Sequence, residues 1–264
     1  MLKFISFSSG SCGNSYYLGT EDQGIMVDAG VSLRKVKKVL HENGLSLDNV
    51  NSILITHNHL DHIRHLGSFC KRAPKNVYTT KFIHSVLAKH TMVSEYLSPY
   101  VKYIEEDKPI IIDGFEVTGF QVPHDAAQTL GYSIKINGHN FVILTDIGRF
   151  TDEALSYAKN AHSLVLESNY DMDMLMRGPY THELKMRIVQ GEGHLSNDEC
   201  AAALKRLIHS DLKNIFLCHL SENNNTAALA YESALKALTE LNIEKGSIML
   251  TCLPRHYQSP LFNL

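Results

Sequence analysis

Apolar positions along the chain recur at two spacings. Residues 2–7, 15–18, 25–28 and 52–56 are short β-type runs, which predict strands in the first third. Residues 32–43 carry Leu33, Val36, Val39 and Leu40 on one helical face and stop before Gly44, which predicts an amphipathic helix. A second helix is expected from near Leu60 to about Arg72. The middle reads as strands over 108–112, 115–122, 131–136 and 140–145, with Asn137-Gly138 between two of them as a hairpin signal. The last third alternates helices (151–158, 197–210, 226–241) with strands (163–167, 214–218, 247–251). Two strand-rich sections, each accompanied by helices, suggest two packed sheets covered by outer helices; the periodicity alone supports a mixed α and β protein (α+β) in one domain over 1–264.

The chain has 264 residues, 44% of them hydrophobic, enough to bury a core without a structural metal or disulfides. Five scattered cysteines form no CxxC pair, so neither a disulfide framework nor a cysteine zinc site is expected, and a reducing cytosol fits. The N-terminal stretch lacks a long apolar core before a cleavage site, and no apolar run reaches the ~18 residues of a membrane span. A cytoplasmic protein without membrane contact is expected. The net charge of −3 excludes a global basic field, and so argues against indiscriminate DNA coating, but leaves room for a local basic rim.

The sharpest chemical signal follows the apolar run 52–56: His57-Asn58-His59-Leu60-Asp61-His62. In an extended loop, residues two apart point to one side, so His57 and His59 can grip one ion. Where the chain turns into a helix, Asp61 and His62 face a second position. Imidazole and carboxylate donors without thiolate suit zinc, with manganese or iron as substitutes. Four ligands cannot complete two sites, so further His or Asp residues are required at later strand ends. His124, Asp146 and His219 each follow an apolar run. Any one alone would be read as an ordinary loop residue; three together fit the requirement.

HxHxDH, then an isolated His, an Asp after a strand and a late His, resembles the metallo-β-lactamase superfamily over essentially the whole chain. The resemblance implies the four-layer αββα sandwich, the metallo-β-lactamase fold. It assigns His57, His59 and His124 to one metal, Asp61, His62 and His219 to a second, and Asp146 to both. It makes Asp28 the aspartate that orients the ligand loop by hydrogen bonding. Glu167-Ser168-Asn169, Gly193-His194-Leu195-Ser196 and His219-Leu220-Ser221 echo RNase Z-like phosphodiesterases in order. On that likeness His194 is the general acid for the leaving alkoxide, Glu167 orients it, and Asp61 accepts a hydrogen bond from the metal-bound hydroxide that serves as nucleophile. The plainer reading of His194 is a loop residue before a helix capped by Ser196 or Asn197.

The stretches SSGSCGNSYY, THNHLDHIRHLG and ESNYDMDML…GPYTHELKMRI…GHLSNDE…HLSENNN resemble the YycJ/WalJ family, a bacterial branch linked to DNA 5′-to-3′ exonuclease activity and cell-wall regulation. Cys12 stands where that loop usually has a small Ser. The expected partner is nucleic acid, DNA before RNA, and a homodimer is allowed. Ser9, Ser11 and Asn14 in the small-residue loop, and Tyr180, His182, Lys185 and Arg187 as a phosphate rim, are the candidate substrate contacts; an ordinary solvated helix face is the plainer reading of the latter four. Two other classes compete. An ester or thioester (glyoxalase II-type) hydrolase would use the same metals without needing His194 as an acid. A non-catalytic metal-binding signalling module would need no open metal position.

Overall fold

Strands buried on both faces read as continuous apolar runs, and helices between them make the strands parallel. Much of this chain is built that way. The computed structural model describes residues 1–264. In chain order the elements of its first part are β1 (Lys3–Ser8), β2 (Ser15–Gly19), β3 (Gly24–Val27), α1 (Leu33–Glu42), β4 (Val50–Leu54), α2 (Leu60–Ile63), α3 (Leu66–Arg72), β5 (Asn76–Thr79), α4 (Lys81–Leu87), α5 (Ser94–Leu97) and β6 (Val101–Tyr103). Then follow β7 (Ile110–Ile112), β8 (Phe115–Val122), β9 (Thr129–Ile136), β10 (His139–Leu144), α6 (Asp152–Ala158), β11 (Ser163–Glu167), α7 (Met172–Arg177), α8 (His182–Val189), α9 (Asn197–Leu207), β12 (Asn214–Cys218), α10 (Ala227–Glu240), β13 (Met249–Cys252) and β14 (Phe262–Asn263).

The strands form two seven-stranded mixed sheets, in the orders β14-β1-β2-β3-β4-β5-β6 and β13-β12-β11-β10-β9-β8-β7. In the first, β3 to β6 run parallel, and β14, β1, β2 and β3 pair antiparallel. In the second, β10 to β13 run parallel, and β9 pairs antiparallel with β10. The class is therefore α+β, as the hydrophobic pattern predicts. By its internal packing the chain divides into two compact units. One comprises Met1–Gly119, Ala126–Leu130 and Pro254–Leu264; the other comprises Phe120–Asp125 and Gly131–Leu253. In the second unit, the core joins Leu144, Leu164, Leu166 and Leu217 of the sheet to Ala154 and Leu155 of α6, Leu204 of α9 and Ala234 of α10.

Several elements match the sequence expectation closely. Helix α1 starts on Ser32, whose side chain accepts from the Lys35 N–H, and it buries Val36, Val39 and Leu40. The Asn137-Gly138 turn has positive φ at both residues, 50° and 79°, the conformation that matches the twist of a two-residue hairpin. No helix is long and apolar enough to cross a membrane.

The expected helix from Leu60 to Arg72 is broken in two. In a continuous helix the carbonyls of Asp61 and His62 would accept from N–H groups one turn on. Here Asp61 O accepts from Asn14 N (2.8 Å) and His62 O from Ala29 N (2.7 Å), while His65 N donates to Ala29 O (2.9 Å). Backbone from two other loops has taken these bonds, and the chain turns at His65 (φ −108°, ψ 2°). Gly30 makes this approach possible: a Cβ there would sit 1.7 Å from Asp61 O.

Candidate metal centre

The candidate side chains follow the carboxyl ends of strands, where open α/β sheets place their ligands. Three of them need a costly backbone. Asp28 after β3, Asp146 after β10 and His219 after β12 have φ of 61°, 53° and 51°. Such left-handed residues persist only where the surroundings enforce them, and they concentrate at functional positions.

In the first unit, Asp28 is fully buried and organises the loop after β4. Its Oδ1 accepts from Thr56 N (2.9 Å), and its Oδ2 accepts from Thr56 Oγ1 (2.9 Å) and His62 Nδ1 (2.7 Å). Thr56 Oγ1 also lies 3.0 Å from His57 Nδ1. A hydroxyl has one proton; given to Asp28, it leaves the oxygen to accept from the His57 ring. The network therefore assigns the proton to Nδ1 in both His57 and His62 and leaves Nε2 as the lone-pair nitrogen of each. Burial raises the Asp28 carboxyl above its ordinary pKa, against the pull of the His62 ring and the hydrogen bonds from His62 and Thr56. The rings of His57 and His59 lie 4.7 Å apart between centroids, and those of His57 and His62 4.1 Å apart. Asp61 Oδ2 is 3.5 Å from His62 Nε2. All four members of the histidine–aspartate motif are thus brought together.

In the second unit, the centre is Glu167 at the end of β11, fully buried. Its Oε1 accepts from Nδ1 of His194 (2.7 Å) and Nδ1 of His219 (2.9 Å). Its Oε2 accepts from the N–H groups of Ile147 (2.9 Å) and Leu195 (3.2 Å). Burial alone would raise this carboxyl; the charge of His194 and the hydrogen bonds from His194 and His219 outweigh it and hold the pKa below the ordinary value. His124 donates from Nδ1 to the Gly193 carbonyl (2.7 Å) and turns Nε2 towards Asp146, 3.8 Å from Oδ1. Burial, the largest influence, pushes the His124 pKa down to about 4, so the ring is held neutral, as a ligand must be. His194 is ringed by His124 and His219, each 5.1 Å away between centroids, and keeps 22% of its side chain exposed. Donor atoms of Asp146, Glu167, His194 and His219 all lie within 4.8 Å of one another.

The donor set fits a divalent ion. Nitrogen and oxygen donors dominate it. The ring-orienting bonds at Nδ1 of His57, His62 and His124 match the way proteins hold metal-ligating imidazoles. Glu167 does not fit as a ligand, because both its oxygens are already shared between two donors each.

The candidate substrate residues fall into two groups. Ser9 and Asn14 are fully buried. Ser9 Oγ meets Tyr16 OH at 2.9 Å, and Asn14 Nδ2 donates to Asp61 Oδ2 (3.0 Å) and lies 2.9 Å from His62 Nε2. Ser11 is exposed. In the second unit, Tyr180 OH accepts from Asn223 Nδ2 (3.3 Å), and His182 is exposed in the first turn of α8. Lys185 Nζ caps the carbonyls of Met176 and Gly178, both at 2.8 Å, and Arg187 pairs with Asp125. The sequence reading missed three functional contacts: the relay through Thr56, the carboxamide of Asn14 on Asp61, and the second partner of Glu167. A threonine immediately before His57 was the one visible signal among them.

Comparison with known proteins places these arrangements in context. The sequence model of the β-lactamase superfamily domain matches residues 23–219. The exodeoxyribonuclease WalJ of Streptococcus pneumoniae serotype 2 (strain D39) is 32% identical over 244 residues, covering 92% of this chain and 91% of that protein. The exodeoxyribonuclease YycJ of Bacillus anthracis is 33% identical over 253 residues, covering 93% and 92%. Among solved structures, Zn2+-bound PqqB from Methylobacterium extorquens superposes with a TM-score of 0.75 at 16% identity, covering 99% of this chain and 100% of that one. At that identity the likeness concerns the fold.

Proposed function

The chain belongs to the β-lactamase superfamily, in its YycJ/WalJ-like branch, and has the metallo-β-lactamase fold, and from this premise we propose that it is a metal-dependent exonuclease acting on DNA. In this reading residues 1–264 form one αββα domain. His57, His59, Asp61, His62, His124, Asp146 and His219 would hold two divalent ions, zinc before manganese or iron. The branch likeness supports 5′-to-3′ polarity.

Bound there, the ions supply charge that offsets the transition state of an in-line phosphoryl displacement and bring a coordinated water's pKa towards neutrality. The remaining work falls to the chain's own residues. Asp28 and Thr56 keep the His57 and His62 rings in the tautomer that offers Nε2. Glu167 holds His194 through Nδ1, so that Nε2 is the nitrogen available to protonate the departing alkoxide. Glu167 also steadies His219, which ties the acid to a ligand-bearing strand end.

The observation that carries a phosphodiesterase over a thioester or lactam hydrolase is the Glu167–His194 pair. A thiolate leaves without a proton; a deoxyribose alkoxide does not. The test compares wild type with His194→Ala on 5′-labelled duplex DNA and on bis-p-nitrophenyl phosphate, with metals counted in the same samples. Loss of a general acid should slow DNA cleavage by about 10²–10⁴-fold. Nitrophenolate leaves unaided, so the small diester should be cut much less slowly than that. Equal losses on both substrates would remove His194 as the acid; no cleavage of either by metal-loaded wild type would remove the phosphodiesterase reading.

A further inference from the structure

The chain is net acidic, yet cationic side chains gather beside the loop that carries Gly10 and Cys12. Arg64, two residues past His62, places Nη1 3.3 Å from the Cys12 carbonyl. Arg255 lays its side chain over Gly10, with Cγ 3.1 Å from where a Cβ would stand, and its carbonyl accepts from Ser8 Oγ. Lys35, in the first turn of α1, donates to the His256 carbonyl at 3.1 Å. Arg64 and Lys35 pair with no carboxylate; each meets a single backbone carbonyl and keeps further N–H donors for a second partner. Tyr257, next along this loop, is 66% exposed. The loop is held in place from the inside by Ser9 N to Pro254 O (3.0 Å) and Ser259 N to Ser6 O (2.8 Å).

This cluster surrounds the loop that Asn14 fastens to Asp61, so it borders the ligand motif directly. It also contrasts with α8, where Lys185 and Arg187 are already engaged by Met176, Gly178 and Asp125.

We propose that Arg64, Lys35 and Tyr257 form the track that holds a single DNA strand beside the metal ligands, the two cations on backbone phosphates and the tyrosine ring under a base. The inference rests on the nuclease reading and assigns its substrate surface. Cations arrayed along a groove with an exposed aromatic are how proteins hold single strands without reading sequence.

The test is the anisotropy of a 5′-labelled oligothymidylate, titrated with full-length protein at several salt concentrations. The variants are Arg64→Gln with Lys35→Gln, Tyr257→Ala, Tyr257→Phe and, as a comparison pair, Lys185→Gln with Arg187→Gln. Thermal melts and metal content check that each variant folds and loads. The Arg64/Lys35 pair should reduce the slope of log affinity against log salt by about 1.4, at about 0.7 per phosphate contact on a single strand. Tyr257→Ala should weaken binding about tenfold, with the salt slope unchanged and Tyr257→Phe near wild type. The Lys185/Arg187 pair should leave the slope as it is. If wild type cuts DNA while the Arg64/Lys35 and Tyr257 variants bind as it does, the track is overturned and the nuclease reading stands. If wild type neither binds nor cuts DNA, both fall.

Discussion

At the scale of single residues, the second unit's centre depends on a carboxylate that cannot be mimicked. Each oxygen of Glu167 accepts from two donors: imidazoles on Oε1, backbone amides on Oε2. In Glu167→Gln the new NH2 must face one pair of N–H groups. The expected cost is about 1–3 kcal/mol of stability from unsatisfied buried donors, read by urea unfolding of metal-free protein. Asp28 acts similarly on His62. Asp28→Asn should weaken metal binding about 10–100-fold, as loss of a ligand-orienting carboxylate usually does, measured by competition with a chromophoric chelator. Away from the centre, burial and the neighbouring His162 ring push His139 down to about 4. The unfolded chain protonates this residue near pH 6.5 and the folded chain does not, so its contribution is complete above pH 6.5 and is lost as the pH falls towards 4. His139→Gln should therefore lose less stability than wild type between pH 7 and pH 5; equal losses would contradict the assignment.

At the scale of elements, the loops that interrupt the helix after His59 matter more than the helix itself. Asn14 and Ala29 take the carbonyls of Asp61 and His62, and only a glycine at position 30 leaves room for that contact. Gly30→Ala should therefore disrupt the first unit's histidine–aspartate motif, with reduced metal content and a lowered melting temperature, whereas an alanine at Gly44 would meet no neighbouring atom and bear only the strain of its left-handed backbone (φ 69°). Helix α9 begins with a capping box, in which the Ser196 side chain accepts from Glu199 N and Glu199 reaches back to Ser196 N. Because Ser196 follows His194 by two residues, the cap also anchors the loop that carries His194. Ser196→Ala should cost about 1 kcal/mol in urea unfolding.

At the scale of the whole molecule, each unit has its own apolar core, so removing metal should not unfold the chain. Chelation is expected to abolish DNA cleavage while the far-UV circular dichroism persists. The melting temperature should fall, since ions at a hundred times their Kd stabilise a folded protein by about 2.7 kcal/mol. A chain that loses its circular dichroism on chelation would show that the metal centre has a structural role instead.

Local pattern was enough for the features governed by neighbours in sequence. The amphipathic helix at Ser32, the Asn137-Gly138 hairpin and the strands β11 and β12 were legible because periodicity, capping and turn conformation are local. So was the clustering of His57, His59, Asp61 and His62, which lie within one loop, together with the strand-end positions of His124, Asp146 and His219. What remained hidden depended on contacts between distant segments. Strands β5 and β6 are four and three residues long, too short to show a period, and they exist because β4 offers β5 a parallel edge and β5 offers one to β6. The break at His65 comes from backbone groups of Asn14 and Ala29, which propensity does not register. The hydrogen bonds that choose a tautomer for each imidazole, and those that engage Lys185 and Arg187 while leaving donors on Lys35 and Arg64, were likewise decided by tertiary structure. A side chain's type is written in the sequence; which groups surround it is settled only when the chain folds back on itself.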